Sequence, residues 1–560
     1  MDNFELKNKL NSERAFLESQ RARVEGDWKE LYNMIYPYRG KFNGTDNQNN
    51  NPRPKLFERT ASRAVRILAA GMQSGLTSPS QRWFRLVPAD PDMKDYKPIR
   101  EWLDIVEDRV YAVLAGSNYY TSTHSSYEEI SVIGTSCTSM IPDYEDVFRC
   151  KVFTGGEYYL GCSGVGGRID TFYEDAEYSA ARMALEFGRD SLCDSSRELL
   201  KNNPGRAVRV FHAIRPNDTY VEGAIGAKGF RWLSCWWEEG AETECFLRVS
   251  GFDSFPVFAP RWNFCSSDVY GYGPGHDAFS DVSTANLIRK DMLNASKLAI
   301  DPPMLADSSL RDEISRITSG STYFANMNGS INVRPIQPLL DVKPDFSGTL
   351  AMLQDARQAI RESFFTDLFM LVANSSDSDR TAREVAELHE EKLTVLGPVL
   401  EMQSKEHHSP SIELAVSYLE KSGLLPPVPD DYKGLDIKIE YNSIFSEAQR
   451  MMGKAPLEQF ISFSGGLMQS YPEVGDLINI DAGLRKYGDF LSIPAEVLRS
   501  KEEVEAIRSQ RAKAQQEQAA LEQAQAAGGS VQQMAAGAKL MSETPVSEGL
   551  LGELGGVLDG

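Results

Sequence analysis

The sequence predicts a mixed α+β protein in which long helices surround an antiparallel β region. Two patterns carry this reading. Long stretches repeat apolar residues every three or four positions, and from Cys150 to about Gly271 the period falls towards two. Composition agrees: 41% of the 560 residues are hydrophobic and 10% aromatic, enough for several cores, so whole-chain disorder is excluded. Length alone suits about three to four domains.

The first helix spans 3–37, with Leu6, Leu10, Phe16, Leu17, Val24, Trp28, Leu31 and Ile35 at helical spacing and Pro37 as its stop. Asn43–Pro54, rich in Asn, Gly and Pro, reads as a mobile loop. A second helix runs from about Leu56 to Met72 on an Ala64, Ile67, Leu68, Met72 stripe, broken by Gly71, Gly75 and Ser78-Pro79-Ser80. Trp83–Val87 is a short strand, and helices cover Asp95–Ala115 and Ser122–Thr135. Strands follow at Arg149–Phe153, Ala207–Ala213, Phe230–Trp237, Cys245–Val249 and Phe255–Phe258. A hairpin turn is expected at Gly164–Gly167 and a helix at Tyr173–Phe187.

The middle differs in kind. Asp281–Ile300 has no internal Gly or Pro and reads as one helix, with Asp281 or Ser283 as N-cap and Asp301-Pro302-Pro303 as stop. Strand-like pieces at Ser321–Phe324 and Ile331–Val333 follow. Leu350, Leu353, Ala356, Ile360, Phe364 and Leu368 then mark a second long helix. Two long helices bracketing a small β unit form a projection, unlike the helices of a globular enzyme, which pack back on a central sheet. Asn374–Asp379 is a polar loop, and Thr381–Glu406 a third helix in which Gly397 and Pro398 predict a kink. Residues 411–498 mix short helices with Pro-rich turns. A helix starting at a Ser500-x-x-Glu503 capping box runs to about Ala527 with too few large aliphatics to be stable alone, and 528–560 is expected to be disordered.

With 59 Lys and Arg against 80 Asp and Glu, the formal charge is −21. That argues against an ordinary nucleic-acid binder, which gains affinity by neutralising phosphates, but not against a protein that lets DNA pass without gripping it. Seven cysteines without a Cys-x-x-Cys pair fit neither a disulfide framework nor a zinc ribbon, and suit a reducing compartment. No stretch approaches the ~20 apolar residues of a membrane span, and Met1–Glu5 lacks the pattern of a secretion signal.

Chemical constellations give little. Gly271-Tyr272-Gly273-Pro274-Gly275 fits neither the Rossmann fingerprint nor Walker A, and Pro274 removes an N–H that an anion would need, so a structural turn is the reading. His389-Glu390-Glu391 lacks a zincin's second histidine, and the adjacent His407 and His408 point about 100° apart on a helix, so both read as solvated helix polarity. No Gly-x-Ser-x-Gly elbow is present, and Cys137 has only His124 within its region. The acidic pair Glu128-Glu129 has no visible tie to a cleft, and Glu238-Glu239 reads as a strand end reaching solvent. Trp232, Trp236 and Trp237, without a cationic cluster beside them, read as sheet core. No catalytic residue, metal site or cofactor is expected.

A set of landmarks nevertheless recurs in a recognisable order. It comprises Leu68-Ala69-Ala70-Gly71-Met72-x-Ser74-Gly75-Leu76-Thr77 leading to Arg82-Trp83-Phe84, then Gly251-Phe252, Phe255-Pro256, Arg261-Trp262 and Tyr270-Gly271-x-Gly273-Pro274. Asp301-Pro302-Pro303, Asp367-Leu368-Phe369, Thr381-Ala382-x-Glu384-Val385, Glu391-Lys392, Leu396-Gly397-Pro398-Val399 and Ile439-Glu440-Tyr441 continue it. In this order the chain resembles the head-to-tail connecting, or portal, proteins of podovirus-type bacteriophages. One departure is Glu406–Pro410, polar and broken where the family continues an apolar helix.

The resemblance implies a portal-protein fold: a mixed α/β wing at 1–280, a helical stem at 281–300 and 345–372, and a small β-containing clip at 301–344. A channel loop at 373–380, a kinked wing helix at 381–410, a crown at 411–499, a barrel-like C-terminal helix at 500–527 and the tail 528–560 complete it. It implies a ring of usually twelve subunits at one capsid vertex, which carries double-stranded DNA without sequence specificity. The implied partners are terminase, the major capsid or scaffolding protein and tail adaptor proteins, with no membrane. An acidic lumen would centre DNA by weak repulsion. Asn374, Ser375, Ser376, Ser378 and Arg380 are the first channel candidates, and Lys290 and Lys297 the second. ATP hydrolysis would belong to terminase, since the chain has no Walker motif. The alternatives are a tail adaptor or other virion structural protein without a channel and, more remotely, an enzyme.

Overall fold

In a computed structural model of the chain, the described residues are 3–42, 56–90, 93, 96–164, 167–240, 246–265, 268–307, 322–325, 336–338, 346–374, 395–429, 437–442, 460, 462–465, 483, 504–516 and 518. The chain divides into two compact units, Met1–Ile478 and Asn479–Gly560. In the second, 504–516 is helical and almost wholly exposed. The expected loop at Asn43–Pro54, the strand at Ile331–Val333, the Ser500 capping box and the tail 528–560 lie outside the described residues.

Helix α1 (Asn3–Ile35) buries Leu10, Leu17, Trp28, Leu31 and Ile35, one stripe at helical spacing. Phe16, one position off that stripe, is exposed. Helix α2 is Thr60–Leu76 and runs straight through Gly71 and Gly75, which the sequence had read as breakers. Strand β1 (Phe84–Pro88), α3 (Lys97–Gly116) and α4 (Tyr119–Ile133) follow as expected to within a few residues. Gly134, in the left-handed region at φ 71°, ends α4.

Strands β2 (Cys137–Asp143), β3 (Val147–Phe153), β4 (Tyr158–Gly161) and β5 (Thr171–Ser179) come next. Two corrections arise here: β2 was not anticipated, and Tyr173–Ser179 is strand where helix was expected. Helix begins only at α5 (Ala180–Phe187), where Ser179 Oγ accepts from Arg182 N at 3.3 Å. After α6 (Asp194–Asn202) come β6 (Ala207–Pro216), β7 (Trp232–Glu238), β8 (Arg248–Phe252) and β9 (Val257–Phe258). The order β4-β5-β6-β7-β8 makes an antiparallel five-stranded sheet, and β3-β2-β9 a smaller antiparallel one.

Alternation along the large sheet gives it two buried faces. Tyr159, Tyr173, Phe211, Ala213, Cys235 and Trp237 meet Leu10 and Leu17 of α1 on one side. Tyr178, Val210 and Trp236 meet Met183 and Leu192 on the other. Trp236 and Trp237 are thus sheet core, as expected.

Short helix α7 (Pro274–Asp277) runs directly into α8 (Phe279–Ile300). The N-cap of α8 is Ala278, without a side-chain cap; Asp281 and Ser283 lie inside the helix. Strands β10 (Met304–Asp307), β11 (Thr322–Ala325) and β12 (Ile336–Pro338) form a small sheet with β10 in the centre, parallel to β11 and antiparallel to β12.

The expected second long helix is two: α9 (Ser347–Ser363) and α10 (Thr366–Asn374). Phe365 sits at φ 51°, a left-handed conformation that costs a bulky residue about 1–2 kcal/mol. The break lets two adjacent aromatics both pack. Phe364 is fully buried in the core, while Phe365 turns onto Trp262, ring centroids 6.4 Å apart.

Residues 395–403 are helical and pass into a π-helical turn at Ser404–His408, then α11 (Ser409–Lys421). The segment read as polar and broken is therefore continuous helix, with Pro410 tolerated in the first turn of α11. Strand β13 (Ile437–Tyr441) pairs antiparallel with β1. A core of Trp83, Phe84, Leu103, Val106, Ile412, Ala415 and Leu419 binds these late elements to α3 and β1.

Candidate functional site

Helices α8 and α9 bracket the small sheet, as the sequence led us to expect. Their mutual face buries Val282, Ala285 and Met292 of α8 and Leu353, Ala356 and Ile360 of α9. Beyond Met292, no residue of α8 is buried. Leu287, Leu293, Leu298 and Ile300 of α8, and Leu350 and Met352 of α9, are exposed apolar side chains.

Lys290 and Lys297 are both exposed on α8. Seven residues apart, they stand about 10 Å from one another along nearly the same line of the helix. The helix pair itself is close to neutral: it carries five basic residues, Arg289, Lys290, Lys297, Arg357 and Arg361, and four acidic ones, Asp281, Asp291, Asp355 and Glu362. The net −21 of the chain is carried elsewhere. Asn374 is the last residue of α10, not the first of a loop. Ser375, Ser376, Ser378 and Arg380 lie outside the described residues; Gly397 and Pro398 fall in the helical backbone of 395–403.

The base of the pair is tied to α2. Asn286 Oδ1 accepts from Phe57 N and Glu58 N, at 3.2 and 3.1 Å. Arg357 donates to Glu58 at 2.6 Å, and Thr60 Oγ1 donates to the same carboxylate at 2.7 Å. Burial pushes the Glu58 pKa up, but the Arg357 and Thr60 hydrogen bonds and the Arg357 charge outweigh it and hold it below the usual value. Higher on α2, Gly71 lies directly against Phe369 of α10.

The glycine run is structural. Gly271 N donates to Thr135 Oγ1 at 2.7 Å, and a Cβ on Gly275 would lie 2.1 Å from Val132 O. These glycines let the 271–275 backbone lie against the end of α4.

Residues that the sequence placed in solvent are buried. His407 and His408 are each 1% exposed. Tyr127 Oη is hydrogen-bonded to His408 Nε2 at 2.9 Å and to Thr77 Oγ1 at 3.2 Å. His407 packs against the ring of Phe258. Burial lowers the His407 pKa to about 4; burial and then the His407 charge drive that of His408 well below its usual value. Both are neutral core residues. Glu128 and Glu129 are buried too, held by Arg39, Tyr36 and Tyr32 from α1 and the turn after it. Glu238 accepts from Cys193 N at 3.0 Å and from Ser196 Oγ, capping α6.

Across β5, β6 and β7, Glu174, His212 and Ser234 line up on one face, with Ser234 Oγ hydrogen-bonded to His212 Nε2 at 3.0 Å and His212 Nδ1 3.8 Å from Glu174. Sequence reading missed this line because its members come from three strands. All three are buried and Trp236 stacks on the imidazole at 3.8 Å, leaving no approach for a substrate. Burial raises the pKa of Cys137, and raises those of Cys150 and Cys235 to about 12, so these thiols are inert. Among the described residues, no cluster of His, Cys, Asp and Glu could hold a metal ion. No described helix is long and apolar enough to cross a membrane.

Comparison with known proteins gives a coherent relationship. The chain matches the family described as bacteriophage head to tail connecting protein over residues 7–498. It is similar to the portal protein of Salmonella phage epsilon15, 34% identical over 546 residues, which cover 97% of this chain and 96% of that one. It is equally similar to the probable portal protein of Bordetella phage BPP-1, 34% identical over 512 residues, covering 90% and 91%. Among solved structures, a chain from the neck of an empty GTA particle aligns over 76% of this chain and 93% of its own at 13% identity, with a TM-score of 0.35, too loose to decide anything further. With a family match from residue 7 to 498 and relatives aligned nearly end to end, the chain belongs to the bacteriophage head-to-tail connecting protein family.

Proposed function

We propose that this chain is a portal subunit: copies of it close into a ring, usually of twelve, at one vertex of the phage head. The ring is the conduit for packaging and ejecting double-stranded DNA, and the docking base for terminase and then tail proteins. The observation that carries this reading is the 34% identity to a portal protein across 97% of the chain. In this reading α8 and α9 are the stem, the β10–β12 sheet lies in the clip, and the large sheet with its flanking helices belongs to the wing. The crown is the region 411–499.

Ring closure gives the α8 surface a partner. Leu287, Leu293, Leu298 and Ile300 are exposed in the single chain, and burying such side chains gains about 25 cal/mol per Å². Lys290 and Lys297 then offer sparse cations to a passing duplex. A near-neutral helix pair holds DNA weakly, since each phosphate neutralised adds to affinity and to its salt dependence. The role is structural rather than enzymatic.

Negative-stain imaging of the purified chain tests the proposal. Rings with a bore wide enough for duplex support it, discrete monomers defeat it, and closed assemblies without a bore favour a tail adaptor.

A further inference from the structure

We propose that Gly71 is a positioning residue: it sets how closely α10 approaches α2, and so where Asn374 at the end of α10 stands. A Cβ on Gly71 would lie 2.3 Å from Phe369 Cδ1, 2.4 Å from Phe369 Cβ and 2.5 Å from Phe369 Cγ. Carbon atoms in contact rest at about 3.5–4.0 Å, so α10 is seated roughly an ångström deeper than any other residue at 71 allows. The decisive neighbour is the Phe369 Cβ. No rotamer change moves it, so an added methyl group must displace backbone.

Which backbone yields follows from the packing. Helix α2 is fixed on several sides: Ala61, Ala64, Val65, Leu68, Ala69 and Met72 are all buried, and Glu58 at its start is clamped by Arg357. Helix α10 has nine residues and joins α9 through Phe365, whose left-handed φ of 51° is a ready pivot. Helix α10 therefore moves, and Asn374 with it. The function of that displacement rests on the portal reading, in which Asn374 is a channel-wall candidate; the α2–α10 approach itself does not.

Three full-length variants test this: Gly71→Ala, Phe369→Ala and Gly71→Ala/Phe369→Gly. Ring formation is scored by negative stain, packaging by nuclease-protected DNA in phage heads, and the state of α10 by amide exchange across 366–374. Gly71→Ala is expected to form rings, lose protected DNA and exchange faster across 366–374. Phe369→Ala leaves the Cβ in place and is expected to retain more protected DNA. The double variant, which restores room between the helices, recovers packaging. Wild-type packaging and exchange in Gly71→Ala, equal loss in Phe369→Ala, or no recovery in the double variant each overturns the proposal. If Gly71→Ala yields no soluble protein, recovery of rings and DNA in the double variant decides for the close approach, and failure to recover decides against it. Wild-type rings without a bore would instead defeat the portal reading and leave the exchange result to judge the helix contact.

Discussion

Arg261 is forked onto Glu406 in the middle of the π-helical turn, 145 residues away in sequence. The Arg261 backbone N–H donates to the same carboxylate at 2.9 Å, and the guanidinium also donates to the carbonyls of Asp268 and Gly167, at 3.0 and 2.8 Å. Arg261 is 1% exposed, so this one carboxylate keeps a buried cation neutralised and holds the turn against the loop after β9.

Glu406→Gln should therefore destabilise the protein by about 3–5 kcal/mol, because it leaves the buried charge uncompensated. Arg261→Met/Glu406→Leu should cost less than Glu406→Gln alone. Urea unfolding midpoints check this; equal midpoints for wild type and Glu406→Gln would sink it.

Stability should fall in mild acid through the histidines of that turn. Burial depresses the His407 pKa to about 4 from an ordinary 6.5, so between those values the unfolded chain binds a proton that the folded chain does not. The stabilisation is complete above 6.5 and lost as pH falls towards 4, about 3 kcal/mol in all for His407. His408 acts in the same direction. Melting temperatures followed from about pH 7.5 to 4.5 should fall less steeply for His407→Phe than for wild type. Parallel curves would count against the buried neutral ring.

Two glycine substitutions should have opposite signs. Gly275→Ala drives a methyl group to 2.1 Å from Val132 O, an overpacking worth about 1–3 kcal/mol or more. Gly26→Ala, inside α1 with nothing within 4 Å, should stabilise by about 0.5–1 kcal/mol. Thermal melts of the two variants check the signs.

Serine at Leu287, Leu293, Leu298 and Ile300 together should leave the subunit folded and abolish the ring, since these apolar side chains are exposed in the single chain. Circular dichroism reads the fold, and light scattering after size exclusion reads the assembly. Intact rings would show that these side chains are not the subunit contact.

Truncation after residue 499 should leave soluble, folded protein, because every residue of the four hydrophobic cores among the described residues precedes 442. Insoluble protein would place the C-terminal segment in the core.

Elements whose signal is local can be read from the order of residues. The apolar stripes of α1 and α2 are written in spacing alone, and α8 in its lack of internal Gly or Pro, as are the Asp301-Pro302-Pro303 stop and the two helices that bracket a small sheet. The ordered landmarks were enough to place the family. Tertiary structure decided everything that depends on a distant partner. Gly71 reads as a helix breaker until Phe369 occupies the space a side chain would need. His407 and His408 read as solvated until Trp83, Tyr119, Tyr127 and Phe258 close around them. Tyr173–Ser179 carries a pattern compatible with a helix, and becomes strand because β6 pairs with it residue for residue, from Tyr173 with Ala213 to Ser179 with Ala207. Propensity and periodicity act over a few residues, whereas burial and ion pairing are settled by neighbours hundreds of residues away, as β1 and β13 show by pairing Phe84 with Tyr441.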